Sequence, residues 1–200
     1  MGAVSVPPVR SAAELAPLCL EAAQAVFRGP VASPSLVMRA WKLLMGTCAV
    51  ESGFRDPDRR QDGYSLEDPN GAWGVAQVER ISIRETLKRL DKEDADFHGR
   101  LFTFIWQRPS DGAVDRRWWK WYGDKDIAKG MALGLDGADP DRLCLAFARL
   151  HYFWKPSSIP ESIQGQAQYW KTHYNTPAGA GTVHKYRAAW ARHCAPLFRA

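Results

Sequence analysis

The chain of 200 residues lacks a hydrophobic run long enough to cross a membrane. No window approaches the roughly 18 apolar residues that a transmembrane helix requires. The opening residues, MGAVSVPPVR, also lack the apolar core of a secretory signal peptide. These absences predict a protein that is made in a cytoplasm and is not embedded in a membrane. If it acts outside that compartment, another route must carry or release it.

Cysteine is scarce, and its spacing excludes the common zinc sites. The sequence has 4 cysteines, and none are paired as CxxC. Three of them lie in helical patterns with apolar neighbours, which predicts small, buried, reduced side chains. The histidines show no ligand spacing either. We therefore expect no metal and no cofactor.

Positive charge is present without being concentrated. The net charge of +5 favours an anionic partner, such as nucleic acid, an acidic membrane or an anionic wall polymer. No nucleic-acid motif is present, and the one segment that interleaves charge with rings is RRWWKWY at 116–122. Trp118 and Trp121 or Tyr122 would share a helix face there, which favours packing. We expect no nucleic-acid partner, a monomer, and at most a transient contact with an anionic membrane or envelope.

Most of the chain shows helical periodicity, and little of it suggests strands. Ser11 and Glu14 form a possible capping box, although Pro17 could instead be the first residue of the regular helix. Further helical patterns cover 33–53, about 75–91, 94–107, 139–154, 161–173 and the residues after Thr182. The patterns predict a mainly α fold (α+β at most) in a single domain. The N-terminal arm and helix, 1–32, would pack on the same domain as 33–200.

Residues 55–73 contain turn residues in place of helical periodicity. The stretch contains two Asp-Pro pairs and, in addition, the turn-forming pairs Asp62-Gly63 and Asn70-Gly71. These pairs predict a long loop or a hairpin. Loops of this length in compact domains are often functional. We expect a small irregular or hairpin lobe around 55–80.

Glu51 is an acid at a position where the pattern predicts buried surface. It follows Cys48 by three residues and Leu44 by seven, so it continues the apolar face of its helix. Burial and the negative end of the helix dipole both favour the neutral acid and would raise its pKa. A carboxyl group that stays protonated near neutral pH can act as a general acid. The alternative is a solvated Glu51, or one paired with Arg55.

A glycine-rich segment, NGAWGVAQVE, follows twenty residues later. Gly71 and Gly74 permit close backbone approach to a ligand, and Gln77 offers both a donor and an acceptor. The order Glu-Ser, then Gly-x-x-Gly-x-x-Gln, resembles the active-site core of goose-type lysozymes and soluble lytic transglycosylases. The resemblance implies a lysozyme-like fold, with Glu51 as the catalytic acid. It also implies a sugar cleft whose candidate contacts are Ser52, Gly71, Trp73, Gly74, Gln77 and Glu79.

A third segment, HYNTPAGAGTVHKY, resembles the Tyr-Asn motif of lytic transglycosylases. There the Tyr and Asn face the catalytic Glu, which implies a place in the cleft for Tyr174 and Asn175. The resemblance covers roughly 33–190 and extends to phage-encoded proteins of the same superfamily. The sequence departs from the family at Val75-Ala76 and at Thr176-Pro177.

Together these features predict cleavage of the β-1,4 glycosidic bond of bacterial peptidoglycan, with the glycan strands as partner. Hydrolysis requires a second carboxylate, whereas a lytic transglycosylase uses a hydroxyl of its own substrate. Candidate second acids are Asp62, Glu67, Asp68 and Glu79. The phage resemblance implies an endolysin or a virion-associated lysin, made in the host cytoplasm or carried in a virion, that acts on the cell wall. The alternative is a catalytically inactive peptidoglycan-binding or phage structural protein of the same fold.

Overall fold

Helices dominate the computed structural model, which describes residues 10–27, 33–54, 71–108, 115–175 and 179–199. The α-helices are α1 (Ala12–Ala25), α2 (Pro34–Glu51), α3 (Arg80–Leu90), α4 (Ala95–Trp106), α5 (Asp124–Leu133), α6 (Pro140–Phe153), α7 (Ile163–His173) and α8 (Val183–Ala189). The strands are β1 (Ala72–Trp73) and β2 (Val78–Glu79). Shorter helical segments are the 3₁₀ turns Asp115–Lys120 and Ala195–Phe198 and the π turn Trp190–Cys194. The predicted mainly α fold is confirmed.

Helix α1 begins at Ala12, so the start suggested at Pro17 is wrong. The Glu14 amide donates to Ser11 Oγ at 3.4 Å, and the Ser11 amide donates to the Glu14 carboxylate at 2.8 Å. This reciprocal capping box satisfies two free donors and sets the first helical residue. Pro17 consequently lies inside the helix and leaves one backbone hydrogen bond unmade. The helix packs against α2, α4 and α6.

Helix α2 places its apolar face inside the protein and carries the acid at its last residue, Glu51. The predicted face is buried or half-buried at Val37, Ala40, Trp41, Leu44 and Cys48. The helix stops because Gly53 and Phe54 follow in left-handed conformations, with φ of 58° and 57°. Ser52 Oγ donates to the Cys48 carbonyl at 3.0 Å and accepts from the Phe54 amide at 3.2 Å. Ser52 therefore closes the helix end.

A short antiparallel hairpin occupies residues 72–79, within the lobe predicted around 55–80. Its register pairs Ala72 with Glu79 and Trp73 with Val78. The turn-rich residues 55–70, on which the predictions for Asp62, Glu67 and Asp68 fall, lie outside the described residues.

The turn of this hairpin explains why the next helix starts later than the predicted 75. Gly74 and Gln77 adopt left-handed backbone conformations, with φ of 70° and 51°. A right-handed helix cannot contain such residues. The Gln77 amide instead donates to the Gly74 carbonyl at 3.0 Å and closes the turn. Helix α3 therefore begins at Arg80.

Helix α6 lies at the centre of the core and is packed against α1, α2, α3, α4 and α5. Of its 14 residues, 11 are buried, including the charged Asp141 and Arg149, because neighbouring helices surround it. Asp139 caps its first turn by accepting from the amides of Asp141 and Arg142 at 2.9 and 3.1 Å. The Arg10 guanidinium binds the carboxylates of Asp139 and Asp141 at 2.8 and 2.7 Å. These charged groups fix the buried start of α6.

Helices α7 and α8 pack against α2 through a second apolar cluster. Its buried members include Leu43, Tyr152, Trp170 and Tyr186. The Tyr186 hydroxyl donates to the Leu43 carbonyl at 3.4 Å, and Thr47 Oγ and the Tyr152 hydroxyl share a hydrogen bond of 2.8 Å. This cluster places α7 beside the C-terminal end of α2.

The aromatic segment near residue 118 differs from its prediction at Trp121. Trp118 and Trp119 are buried, whereas Trp121 is 55% exposed, so Trp118 and Trp121 do not share an inner face. The 3₁₀ turn Asp115–Lys120 ends before Trp121, so the three-residue repeat that would align Trp121 with Trp118 does not extend to it. Tyr122, the other predicted partner of Trp118, is half-buried and packs against the core. Helix α5, which follows this segment, was not predicted; it is short and contains Gly130, a residue of low helix propensity.

All four cysteines are buried, and none of them forms a disulfide: Cys19, Cys48, Cys144 and Cys194. The described ranges contain no group of three or more His, Cys, Asp or Glu side chains arranged to hold a metal ion. Within those same ranges, no helix has the length and apolar character of a bilayer-spanning segment.

Candidate active site

A cavity of about 400 Å³ opens between the end of α2, the hairpin and the residues that join α7 to α8. We call it the Glu51 cavity. Five residues proposed from the sequence line it: Glu51, Gln77, Glu79, Tyr174 and Asn175. The rest of its described lining is Val50, Ala72, Val78, Ser82, His151, Trp170, Gly179, Ala180, Gly181 and Lys185. Residues from three distant parts of the chain thus meet at one site.

The Glu51 carboxylate is largely removed from water but is not sealed off. Burial raises its pKa from the ordinary 4.5 to about 7, and the nearby Glu79 carboxylate adds to the rise. Its Oε1 accepts a hydrogen bond of 2.9 Å from the indole Nε1 of Trp170, which opposes the rise by stabilising the anion. No basic residue lies in the last turn of α2 to neutralise it. Near neutral pH the group can therefore both donate and accept a proton.

The Tyr174 hydroxyl joins the two walls of the cavity. It donates to the carbonyl of Ala76, in the hairpin turn, at 2.9 Å. Burial raises the Tyr174 pKa well above its ordinary value, so the hydroxyl keeps its proton. The Gln77 side-chain amide donates to the Gly74 carbonyl at 2.9 Å in the same turn. Tyr174 and Gln77 therefore position the hairpin against the end of α7.

The Asn175 side chain organises the glycine-rich wall of the cavity. Its Oδ1 accepts from Lys171 Nζ at 3.0 Å and from the Gly181 amide at 3.1 Å. Lys171 Nζ also donates to the Gly179 carbonyl at 2.7 Å. A Cβ at position 181 would lie 2.4 Å from the Trp170 ring. Glycine is therefore needed there so that the wall can approach the indole that binds Glu51.

Four residues predicted to contact the substrate lie away from the described lining of the cavity: Ser52, Gly71, Trp73 and Gly74. Trp73 has no exposed surface, and Gly71 packs against its ring. Gly74 faces the core, where an added Cβ would lie 2.5 Å from Cys144 Sγ. Ser52 closes the end of α2, as described above. The glycines and Trp73 of this motif shape the hairpin and fix it to α6.

The three comparisons with known proteins, made against family models, curated proteins and solved structures, each found no match. The interpretation of the site therefore depends on its residues and their geometry, together with the motif resemblance.

Glu79 is the one candidate second acid that falls within the described residues. It lies on β2, is exposed and lines the cavity. It acts on Glu51 as a neighbouring negative charge and favours the protonated form of that acid. Asp62, Glu67 and Asp68 belong to the stretch at 55–70 and have no described position.

Two cavity residues were missed by the sequence reasoning, Trp170 and His151. Trp170 precedes Tyr174 by four residues and so shares its helix face, which is a signal that the sequence does contain. His151 lies at the end of α6, and its Nε2 is 2.6 Å from the His173 carbonyl, so Nε2 carries the proton. Burial lowers the His151 pKa to about 4, which keeps the ring neutral near neutral pH. His151 therefore adds a polar, uncharged group to the wall.

Proposed function

We propose that the protein cleaves the β-1,4 glycosidic bond of bacterial peptidoglycan, with Glu51 as general acid and then as general base. The observation that supports this function most directly is a half-buried carboxyl group with a pKa of about 7 in an open cavity. The identity of the substrate is supported by the resemblance of the three motifs to lysozymes and lytic transglycosylases. Besides Glu51, four motif residues line the cavity, and each has a polar side chain that can contact a sugar: Gln77, Glu79, Tyr174 and Asn175.

In the first step, Glu51 donates its proton to the oxygen of the leaving sugar as the glycosidic bond breaks. The Glu51 carboxylate that results is more strongly stabilised by the Trp170 indole than the neutral acid was. This hydrogen bond therefore strengthens along the reaction, which is the condition for accelerating it. In the second step, the carboxylate accepts a proton from the attacking hydroxyl.

Two nucleophiles are compatible with this role of Glu51. If water attacks, a carboxylate such as Glu79 orients it, and the product has a reducing end. If the 6-hydroxyl of the substrate's own muramic acid attacks, the product is a 1,6-anhydro sugar and no second carboxylate is needed. The products distinguish the two reactions.

The experiment compares the wild type with Glu51→Gln on purified peptidoglycan. General acid catalysis contributes about 10²- to 10⁴-fold, so Glu51→Gln should lower the rate of muropeptide release by that factor. Glu161→Gln is the matched control, because Glu161 is exposed and lies outside the cavity. Mass spectrometry of the released muropeptides identifies reducing or 1,6-anhydro ends, and Glu79→Gln tests the second carboxylate.

An unchanged rate in Glu51→Gln would refute the role of this residue. A wild type that sediments with peptidoglycan and releases no fragments would instead support the alternative, a wall-binding protein without catalysis. Under the catalytic proposal, the expected biological setting is an endolysin or a virion-associated lysin.

A further inference from the structure

A second cavity, of about 440 Å³, lies between the end of α1, the start of α2 and the segment that joins α6 to α7. We call it the Arg149 cavity, after the α6 residue on its wall. None of its described lining residues also lines the Glu51 cavity. Its volume is within the range of small-ligand sites in proteins. Its described lining contains no residue of the three sequence motifs at 51–54, 71–79 and 174–182.

The Arg149 guanidinium is buried, and the described part of the chain offers it no counter-ion. Its residue is 8% exposed, and within the described ranges it has no ion pair and no hydrogen-bond partner, with Nε fully enclosed. It contacts the Phe153 ring, 5.8 Å from the ring centre. Burial lowers its pKa to about 10, so the group is still charged near neutral pH. A buried, unpaired charge is costly, and proteins normally pair it.

Two other arginines that approach the core, Arg10 and Arg142, are paired with carboxylates. Arg10 binds two carboxylates, and Arg142 binds the Glu21 carboxylate at 2.6 Å and the Phe104 carbonyl at 3.2 Å. The guanidinium groups of Arg10 and Arg142 each contact a carboxylate. Arg149 differs from both because it lines a cavity. A guanidinium fork in this position is suited to an incoming carboxylate, which it binds through two parallel N–H bonds.

The charges on the wall of this cavity have one sign. Lys155 lies on the wall with Arg149, and no Asp or Glu is among the described lining residues. Burial lowers the Lys155 pKa. The Tyr169 hydroxyl is already used, since it donates to the Ser157 carbonyl at 3.0 Å. Most of the other surface is apolar and includes Phe27, Leu36, Val37 and Ile159.

We propose that the Arg149 cavity binds a single-chain aliphatic carboxylate, with the carboxylate on the Arg149 guanidinium and the chain along the apolar wall. Arg149 and Lys155, to which the described lining offers no acid, favour an anionic group, and the apolar lining favours a hydrocarbon body. A sugar would leave the apolar wall unused. The two long chains of a phospholipid would exceed the volume of the cavity. This site is separate from the proposed wall-degrading activity and does not depend on it.

Isothermal titration with decanoate, below its micelle concentration, tests the proposal. The wild type should bind decanoate, and decanol, which has the same chain without the charge, should bind at least tenfold more weakly. Arg149→Met keeps the volume and removes the charge, so it should lose about tenfold to hundredfold in affinity for decanoate. Since this substitution removes an unpaired buried charge, the variant should remain folded and be at least as stable as the wild type.

Two further variants keep the test decisive. Val37→Glu, on the half-exposed wall, introduces a competing carboxylate and should abolish binding while Arg149 is intact. Arg192→Met is the matched control, because Arg192 is exposed and outside the cavity, and it should bind like the wild type. Three results would overturn the proposal. The wild type could bind decanol and decanoate with equal affinity, Arg149→Met could bind decanoate as tightly as the wild type does, or the wild type could fail to bind decanoate. Binding to anionic phospholipid vesicles without binding to decanoate would also overturn it.

Discussion

Replacing Glu51 by Gln should stabilise the folded protein at alkaline pH, even though it removes the proposed catalytic acid. The folded protein holds the Glu51 proton with a pKa of about 7, whereas the ordinary value is 4.5. Between these two pH values the folded state binds more protons than the unfolded state. The free energy of unfolding of the wild type therefore falls as pH rises through this window. Gln has no titratable proton, so the free energy of unfolding of the variant does not fall in this way.

The size of the effect follows from the two pKa values. Their difference of about 2.5 corresponds to about 3 kcal/mol of unfolding free energy above pH 7, as an upper bound. Gln can also keep the hydrogen bond, because its amide oxygen accepts from Trp170 as Glu51 Oε1 does. The stability difference between variant and wild type should thus grow by up to this amount between pH 4 and pH 8.

Urea unfolding of both proteins at pH 4 and pH 8 measures this change, with equal slopes indicating the same cooperative transition. Glu161→Gln controls for the loss of an exposed carboxylate, which here includes its surface ion pair with Arg39. If the difference between Glu51→Gln and the wild type were the same at both pH values, Glu51 would titrate in the folded protein as it does in water. The argument from burial, and with it the proposed general acid, would then fail.

Two further predictions concern the surroundings of Glu51. Trp170→Phe removes the donor to the carboxylate and should raise the Glu51 pKa by about 1–2. The alkaline limb of the pH–rate profile should move up equally, because the acid must be protonated, and an unmoved limb would refute the role of the indole. Gly74→Ala should destabilise the protein by about 2–5 kcal/mol, because it combines a strained left-handed backbone with overpacking against Cys144. Gly137→Ala, with φ of 82° and nothing within 4 Å of the added Cβ, is the matched control and should cost about 1–2 kcal/mol in urea unfolding; equal losses in both would exclude the packing effect.

Local signals in the sequence were sufficient for the helices that carry their own start and periodicity. The apolar face of α2 placed Glu51 on buried surface, and the Ser11–Glu14 pair set the start of α1. The turn at Gly74 and Gln77 was missed because its positive φ angles are not a property of an apolar pattern. Helix propensity alone favours a continuous helix there, and the tertiary structure overrides it.

The parts of the site that the sequence did not reveal depend on contacts between distant residues. Trp170 is 119 positions from the Glu51 carboxylate that it binds. Trp73 and Gly74 were predicted to contact the substrate. Gly74 instead packs closely against Cys144 in α6. A pattern within one segment can show that a residue type is unusual, but it does not show which distant side chain contacts it.

The enclosed cysteines give the protein an intrinsic chemical probe of its own opening. A hydrogen bond with Cys19, together with burial, raises the pKa of the Cys48 thiol, and burial raises the pKa of the Cys194 thiol, so reactive thiolate is scarce in the folded state. Alkylation should then proceed only when the helices separate, and its rate would report how often the core is exposed to reagent. A single cysteine introduced on the surface would therefore be labelled long before the four native cysteines, which need not be mutated first.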